Sequence, residues 1–268
     1  MKFFRGGIMK RVFLVSLALL MFAGAAFSQT GGVKRRPLPW EYGRVVINNY
    51  SQEAGLPPVV FDHWLHRAKY TCRLCHVDLG FAMKAGGTGI KAEDNMQGYY
   101  CGACHNGKSV LDGRIIFEAC GKVKTDDCLR CHSLGQQVKR DYDFRRFTAG
   151  LPGGRFGNGI DWEKAELQGL IKPIDYIEGV SIKRGALPIP KDTQLQTNMA
   201  GMPDIIFSHK KHAAWSGCEL CHPEIFGVKK GASYSMDEIF GGKYCGACHG
   251  LVAFPSLDCQ RCHAKPVY

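Results

Sequence analysis

Residues 54–66 read AGLPPVVFDHWLH, and a C-x-x-C-H motif at residues 72–76 begins six positions after the last histidine of that block. Residues 200–212 read AGMPDIIFSHKKH, and a second C-x-x-C-H motif, at residues 218–222, follows at the same distance. Self-similarity of this kind indicates that one structural unit occurs twice in the chain.

The C-x-x-C-H pattern occurs six times in all. In such a motif two thiols form thioethers with the vinyl groups of a haem, and the histidine ligates its iron. Zinc sites, redox dithiols and disulfides also use C-x-x-C pairs, but none of them requires a histidine after every pair. The sequence therefore predicts six covalent c-type haems, held by Cys72, Cys75 and His76; Cys101, Cys104 and His105; Cys128, Cys131 and His132; Cys218, Cys221 and His222; Cys245, Cys248 and His249; and Cys259, Cys262 and His263.

The N-terminus has the pattern of a secretory signal peptide, with cleavage expected after Ser28. Four basic residues precede an apolar run at residues 12–27, which ends in a stretch of small residues at 23–28. A run of roughly 16 apolar residues is shorter than the roughly 20 needed to span a bilayer. We expect an exported protein, in the periplasm or beyond it, with no membrane span in its mature form.

Composition and charge restrict the fold and the partners. Without residues 1–28 the chain has one predicted haem for about every 40 residues, so the haems should replace much of an apolar core. The expected fold is mostly irregular, with short α-helices and little β-structure. The formal net charge of +11 includes four positive charges of the leader, and the haem propionates would offset most of the rest. Nucleic-acid binding is therefore not indicated.

The spacing of the motifs defines the domain organisation. The first and second motifs lie 29 and 27 residues apart in the two copies, and the second and third lie 27 and 14 apart, so the first copy carries an insertion of about 13 residues around 109–127. Between the copies, Asp161 is a predicted N-cap of a short helix. The chain divides into a signal peptide at 1–28, a first triheme module with an N-terminal leader at 29–147, a linker or strap at 148–199, and a second triheme module at 200–268.

Four histidines remain after the six motifs are assigned: His63, His66, His209 and His212. They form two H-x-x-H pairs, one before each module. Residues three apart lie on one face of a helix, so each pair can present imidazoles to two different haems. These four residues are the predicted distal ligands.

The order F-x-H-x-x-H, C-x-x-C-H, G-x-Y-C-G-x-C-H and a final C-x-x-C-H resembles the triheme, c-seven-type branch of the class III multihaem cytochromes c. The resemblance covers about residues 54–132 and 200–263. Those cytochromes are small periplasmic electron carriers of metal- and sulfur-respiring bacteria. The resemblance implies that His63 serves the haem of His76, His66 that of His105, His209 that of His222, and His212 that of His249.

The third haem of each module lacks an evident distal ligand. In the family this ligand, typically a histidine, precedes the second motif, where this chain has Gln97 and Gly241. Methionine is the natural substitute, and thioether ligation raises the reduction potential relative to two imidazoles. Met236 is the first candidate in the second module, and Met96 or Met83 in the first. An open or water-bound iron is the alternative.

Electron transfer is the leading functional hypothesis, and no enzymatic activity is expected. The expected donor is a quinol-oxidising inner-membrane complex or a small periplasmic cytochrome, and the expected acceptor is an outer-membrane conduit or a terminal reductase. A multihaem reductase with an open third haem and a subunit of an extracellular haem filament are the alternatives. Cys120, the thirteenth cysteine, is either an inert buried thiol or a reactive or bridging one.

Overall fold

The computed structural model describes residues 36–121, 126–132, 143–185, 188–197, 199, 201–228 and 233–263. The predicted signal peptide lies outside these residues. The helices described are α1 His63–Arg67, α2 Ala92–Met96, α3 Phe144–Thr148, α4 Trp162–Leu167, α5 His209–Ser216, α6 Met236–Phe240 and α7 Cys259–Cys262. The strands described are β1 Arg44–Ile47, β2 Val59–Asp62, β3 Val110–Leu111, β4 Arg114–Ile115, β5 Thr193–Leu195 and β6 Ile205–Phe207.

Each half of the chain contains the same local unit, an antiparallel pair of strands that leads into a short helix. β1 pairs with β2, with Val46 opposite Val60, and α1 begins at the next residue after β2. β5 pairs with β6, with Leu195 opposite Ile205, and α5 begins two residues after β6. The β-branched residues before each H-x-x-H pair favour the extended backbone. The ribbon therefore fixes where each histidine helix starts.

A second repeated unit explains the glycine of the Y-C-G-A-C-H motifs. A Cβ added at Gly102 would lie 1.9 Å from the carbonyl oxygen of Asn95 in α2. A Cβ added at Gly246 would lie 1.8 Å from the carbonyl oxygen of Ile239 in α6. Only glycine allows the two backbones to approach this closely. The short helix before each second motif is thereby held against the motif itself.

The insertion of the first copy consists of two parts. Its first part is the hairpin of β3 and β4, in which Val110 lies opposite Ile115. Its second part lies between Phe117 and Cys128 and contains Cys120. Residues 122–125 of this part fall outside the described residues.

A small apolar core lies around α1, α3 and α4, and its buried members are Trp64, Ala68, Phe144, Trp162, Ala165 and Ile171. Three of these residues belong to the predicted strap. The helix α4 has Asp161 as its N-cap, as predicted, with the Asp161 carboxylate accepting a hydrogen bond from the backbone N–H of Lys164. The predicted fold class is confirmed, because the described chain is mostly irregular with short helices and little strand.

The two copies pack against each other within one compact unit that begins at Leu38. The hydroxyl of Tyr42 donates to the carbonyl oxygen of Ala253 at 2.6 Å. Arg184 of the strap donates to Asp78 at 2.5 Å and to Glu219 at 2.9 Å, so it joins a side chain of each module. No helix among the residues described is long and apolar enough to cross a membrane.

Candidate haem centres

The C-x-x-C-H motifs fold as helical turns. In the last five, the backbone N–H of the histidine donates to the carbonyl oxygen of the first cysteine at 2.8–3.0 Å. The first motif lies in a continuous helical stretch, residues 72–78, that includes a π-helical segment. The turn brings the two thiols and the imidazole onto neighbouring positions of one short segment. None of the thirteen cysteines forms a disulfide.

Eight of the ten histidines place Nδ1 2.6–3.0 Å from a backbone carbonyl oxygen. Because a carbonyl oxygen can only accept, Nδ1 carries the proton and Nε2 keeps its lone pair. Metal-ligating histidines are commonly oriented in this way. The pairs are His63–Gly43, His76–Phe81, His132–Pro57, His209–Lys191, His212–Ser208, His222–Phe226, His249–Phe254 and His263–Pro203.

The other two histidines are the most enclosed. Nδ1 of His66 and of His105 is buried and makes no well-formed hydrogen bond. Burial lowers the pKa of His66 to about 3, and it lowers the pKa of His105 as well. The backbone of Asp62 and of Phe117 acts in the opposite direction but more weakly. Both imidazoles are therefore neutral near pH 7, which is the form that can ligate a metal.

Three pairs of histidine rings face each other at nearly equal separations. The pairs are His63–His76 at 6.4 Å, His66–His105 at 6.2 Å and His212–His249 at 6.3 Å between ring centroids. Two imidazoles on opposite sides of one iron, each with a nitrogen about 2 Å from the metal, hold their centroids roughly 6 Å apart. These are three of the four pairs that the resemblance implies. The residues therefore fit bis-histidine haem.

The fourth implied pair is different. The structure shows no ring contact of this kind between His209 and His222, although both rings direct Nδ1 to a carbonyl oxygen. His222 is exposed to solvent and His209 is partly exposed. Their pairing stays a prediction.

The third-motif histidines occupy equivalent positions in the two copies. Nδ1 of His132 lies 2.8 Å from the carbonyl oxygen of Pro57, and Nδ1 of His263 lies 2.9 Å from that of Pro203. The two prolines stand at matching positions of the repeated blocks at residues 54–66 and 200–212. The block that carries each H-x-x-H pair thus also orients the third proximal histidine of its own module.

The three candidate methionines all lie at the surface. The exposed fraction is 42 % for Met83, 46 % for Met96 and 37 % for Met236. Met236 is the first residue of α6, whereas Met96 is the last residue of the equivalent α2. The two therefore occupy opposite ends of corresponding helices. Their assignment as third-haem ligands stays a prediction.

Cys120 lies beside the attachment cysteines of the first module. Its thiol accepts a contact from the side-chain amide of Asn95 at 3.6 Å, and its backbone φ of 56° is unusual for a residue with a Cβ. Burial raises the pKa of the thiol, and the neighbouring Cys128 raises it further. A raised pKa lowers the thiolate fraction and with it the reactivity of the sulfur. These features favour the inert thiol over the reactive one.

Two phenylalanines contact both histidines of an H-x-x-H pair, a role that the sequence reasoning missed. The ring of Phe61 lies 4.8 Å from that of His63 and 4.4 Å from that of His66. Phe207 contacts His209 and His212 in the same way, at 5.0 and 4.3 Å. The recurrence of phenylalanine two residues before each pair was the available signal.

Thiols of successive motifs are close neighbours in the first module. Burial raises the pKa of Cys101 to about 12, and the thiol of Cys131 in the third motif raises it further. Burial also raises the pKa of Cys75 to about 12, with the thiol of Cys104 in the second motif as the next cause. The second motif is therefore near both the third and the first.

The same adjacency continues across the module boundary. Burial raises the pKa of Cys248 to about 12, and the next causes are the thiols of Cys72 in the first module and Cys221 in the second. Burial raises the pKa of Cys262 to about 11, with Cys245 as the next cause. Cys72 of the first module is thus near thiols of the first two motifs of the second module.

Comparison with known proteins agrees with this geometry. The family model described as "Cytochrome c7 and related cytochrome c" matches residues 59–133 and 205–264, which together make up half of the chain. The chain belongs to this cytochrome family. A solved "c7-type three-heme cytochrome domain" is 41 % identical over 30 % of this chain and 99 % of that one, with a TM-score of 0.26. No curated protein matches the cytochrome.

Longer solved cytochromes match most of the chain. The C-terminal hexaheme fragment of GSU1996 is 25 % identical over 85 % of this chain and 98 % of that one, with a TM-score of 0.25. The dodecaheme cytochrome c GSU1996 is 26 % identical over 84 % of this chain and 75 % of that one, with a TM-score of 0.27. The assignment rests on the family model and on the motifs, not on these superpositions. The cytochrome is accordingly a multihaem c-type protein, and its relatives indicate electron transfer.

Proposed function

We propose that the protein is an exported hexahaem cytochrome that carries electrons between redox proteins in anaerobic respiration. The observation that carries the proposal is the set of three imidazole pairs with centroids 6.2–6.4 Å apart. Haem bound in such a pair supplies reversible one-electron chemistry. An iron ligated by two imidazoles would keep both ligands in either redox state, so electron transfer would require little reorganisation.

The order of the attachment cysteines supports a path through the whole protein. In the first module the motif of His132 lies next to that of His105, which adjoins that of His76. In the second module the motifs of His222 and His249 adjoin Cys72, and the motif of His263 follows. We propose this series of sites as the route for electrons, with the two third motifs at its ends.

The proposal includes the site, the compartment and the partners. The twelve motif cysteines would hold six haems, with the histidine of each motif as proximal ligand and His63, His66, His209 and His212 as distal ligands. The distal ligands of the third haems would be Met236 in the second module and Met96 or Met83 in the first. Residues 1–28 would direct export to the periplasm, where cytochromes of this family typically act. The donor would be a quinol-oxidising inner-membrane complex or a small cytochrome, and the acceptor an outer-membrane conduit or a terminal reductase.

The first test is the haem content and ligation of the mature protein. Intact mass should exceed that of residues 29–268 by six haems, and a redox titration should reveal six one-electron couples. The variant His209→Ala should retain all six haems and convert one ferric haem to high spin. A fully low-spin variant would show that His209 is not a distal ligand, and fewer than six haems in the wild type would overturn the stoichiometry.

A further inference from the structure

Arg67 marks a difference in side-chain charge between α1 and α5, the two helices that begin with the H-x-x-H pairs. It follows His66 directly and ends α1, whereas the equivalent residue after His212 is Ala213. Two positions further on, the first copy has Lys69 and the second has Trp215. The repeat has therefore diverged in two places that are close to its histidine ligands.

The guanidinium of Arg67, in the first module, contacts both the strap and the second module. Its Nη1 donates to the carbonyl oxygen of Val252 in the second module at 3.0 Å. Its carbon Cζ lies 5.2 Å from the ring centroid of Trp162 in the strap and 5.4 Å from that of Trp215 in the second module. Both distances are within the range of cation–π attraction. One side chain of the first module is thus enclosed by the strap and the second module.

The positive charge of Arg67 has little compensation. Among the residues that the structure describes, no carboxylate lies within ion-pair distance of it. Glu166 raises the pKa of Arg67 less than Cys72 and Tyr42 do, and its carboxylate already accepts a hydrogen bond from Trp215 Nε1 at 2.8 Å. Burial lowers the pKa of Arg67, but a guanidinium stays protonated in proteins. A fixed cation therefore occupies the junction of the modules.

This cation acts on predicted ligands of both modules. Arg67 lies one helical turn after His63 in α1, and Val252, whose carbonyl oxygen accepts its hydrogen bond, lies three residues after His249. An electrostatic effect that reaches these imidazoles also reaches an iron ligated by them, because the low-dielectric interior screens it weakly. Reduction adds one negative charge at such an iron, and a nearby cation favours it.

We propose that Arg67 raises the reduction potentials of the two haems that face the junction, those of the His63–His76 and His212–His249 pairs. No bond forms or breaks in this step; the electron comes from the donor protein, and the guanidinium stabilises the reduced state. Among the bis-histidine haems, the two at the junction are then the preferred sites for electrons. This inference rests on the proposed function, and it adds a potential-setting residue that binds no iron.

The test is a redox titration of the holoprotein, resolved by haem, for a set of matched variants. Arg67→Gln should lower two of the six couples, each by about tenfold in the equilibrium constant for reduction, which is about 59 mV for one electron. Arg67→Lys keeps the positive charge, so these two couples should stay close to their wild-type potentials. Arg155→Gln removes an exposed guanidinium that also lies over a ring, that of Phe156 at 5.1 Å, and should move no couple.

A second variant, for which the two potentials should change in the opposite direction, tests the proposal if Arg67→Gln does not incorporate its haems. Glu166→Gln removes a negative charge and retains an acceptor for Trp215, so the same two couples should rise. If Arg67 has a purely structural role, the potentials of Arg67→Lys will be shifted as much as those of Arg67→Gln, or neither variant will show a shift. Either result would overturn the inference. Six reversible couples without these shifts would contradict the inference alone, whereas a wild type without reversible couples would contradict the proposed function.

Discussion

The rings of His63 and His76 are nearly parallel, with 6° between their planes and 6.4 Å between their centroids. The His66–His105 and His212–His249 pairs are inclined at 51° and 64°. The angle between two axial imidazoles determines how strongly the iron orbitals that overlap with them are split. The ferric protein should therefore give a rhombic low-spin electron paramagnetic resonance signal from the haem of the His63–His76 pair and strongly anisotropic signals from the other two.

The variant His63→Ala tests which haem gives the rhombic signal. It should remove that signal and produce one high-spin haem, while all six haems stay covalently attached. His66→Ala is the matched control from the same helix and should remove an anisotropic signal instead. A rhombic signal of unchanged intensity in His63→Ala would contradict the pairing of His63 with His76.

Gly102→Ala should destabilise the first module strongly. The new Cβ would lie 1.9 Å from the carbonyl oxygen of Asn95, and relieving the clash requires that α2 or the second motif move. Overpacking of this kind typically costs roughly 1–3 kcal/mol, and a clash with backbone should lie at the upper end. Thermal unfolding of the holoprotein measures the loss.

The control for this glycine is Gly150→Ala. No atom lies within 4 Å of the Cβ that this substitution adds. Its midpoint of unfolding should stay close to that of the wild type. Equal midpoints for the two variants would show that the close contact in the second motif is not needed for stability.

Asp161 should make part of the stability dependent on pH. Burial raises the pKa of its carboxyl, but the hydrogen bond from Lys164 N–H and the ion pair with Arg261 at 2.6 Å outweigh burial, and the net pKa is lowered. A lowered folded-state pKa stabilises the protein above the unfolded value of about 4, and this contribution is lost as the pH falls through the folded value. The difference in stability between wild type and Asp161→Asn should therefore be present at pH 7 and vanish at low pH.

Two substitutions distinguish the N-cap hydrogen bond of Asp161 from its ion pair with Arg261 by the loss of stability that each causes. Asparagine is also a good N-cap, so Asp161→Asn should cost less than about 1 kcal/mol at pH 7. Asp161→Ala removes the cap and the ion pair, and it should cost about 1–2 kcal/mol. Equal losses for both variants, measured by thermal unfolding, would show that the ion pair with Arg261 is the larger contribution.

The sequence predicted the local parts of this protein better than their assembly. The C-x-x-C-H spacing is a property of one helical turn, and Asp161 caps its helix through a neighbour three residues away, so both could be read from short segments. The contacts of Arg67 could not, because Trp162, Trp215 and Val252 lie far from it in the chain. Phe117 and Phe254 contact His105 and His249 in the same way, at 4.5 and 4.2 Å. Because the first copy contains the hairpin of β3 and β4, the number of residues between histidine and phenylalanine differs between the two copies. The sequence therefore does not show that the two contacts correspond.

Cys120→Ser should leave all six haems attached, because the other twelve cysteines account for six C-x-x-C-H motifs. The wild-type thiol should react slowly with an alkylating reagent at pH 8, since burial raises its pKa and only the thiolate reacts. Intact-mass analysis of native and unfolded protein measures both results. Loss of one haem in Cys120→Ser would show that this thiol takes part in attachment.

The third haem of the second module should be closed by Met236. Carbon monoxide binds only to a ferrous haem with an exchangeable sixth ligand, so the dithionite-reduced wild type should leave its Soret band unchanged. Met236→Ala should create one carbon monoxide-binding haem. Met199→Ala, which truncates a methionine with a 63 % exposed side chain, should create none. Stoichiometric binding by the wild type would mean that the irons at His132 or His263 are open, and it would favour the reductase over the simple electron carrier.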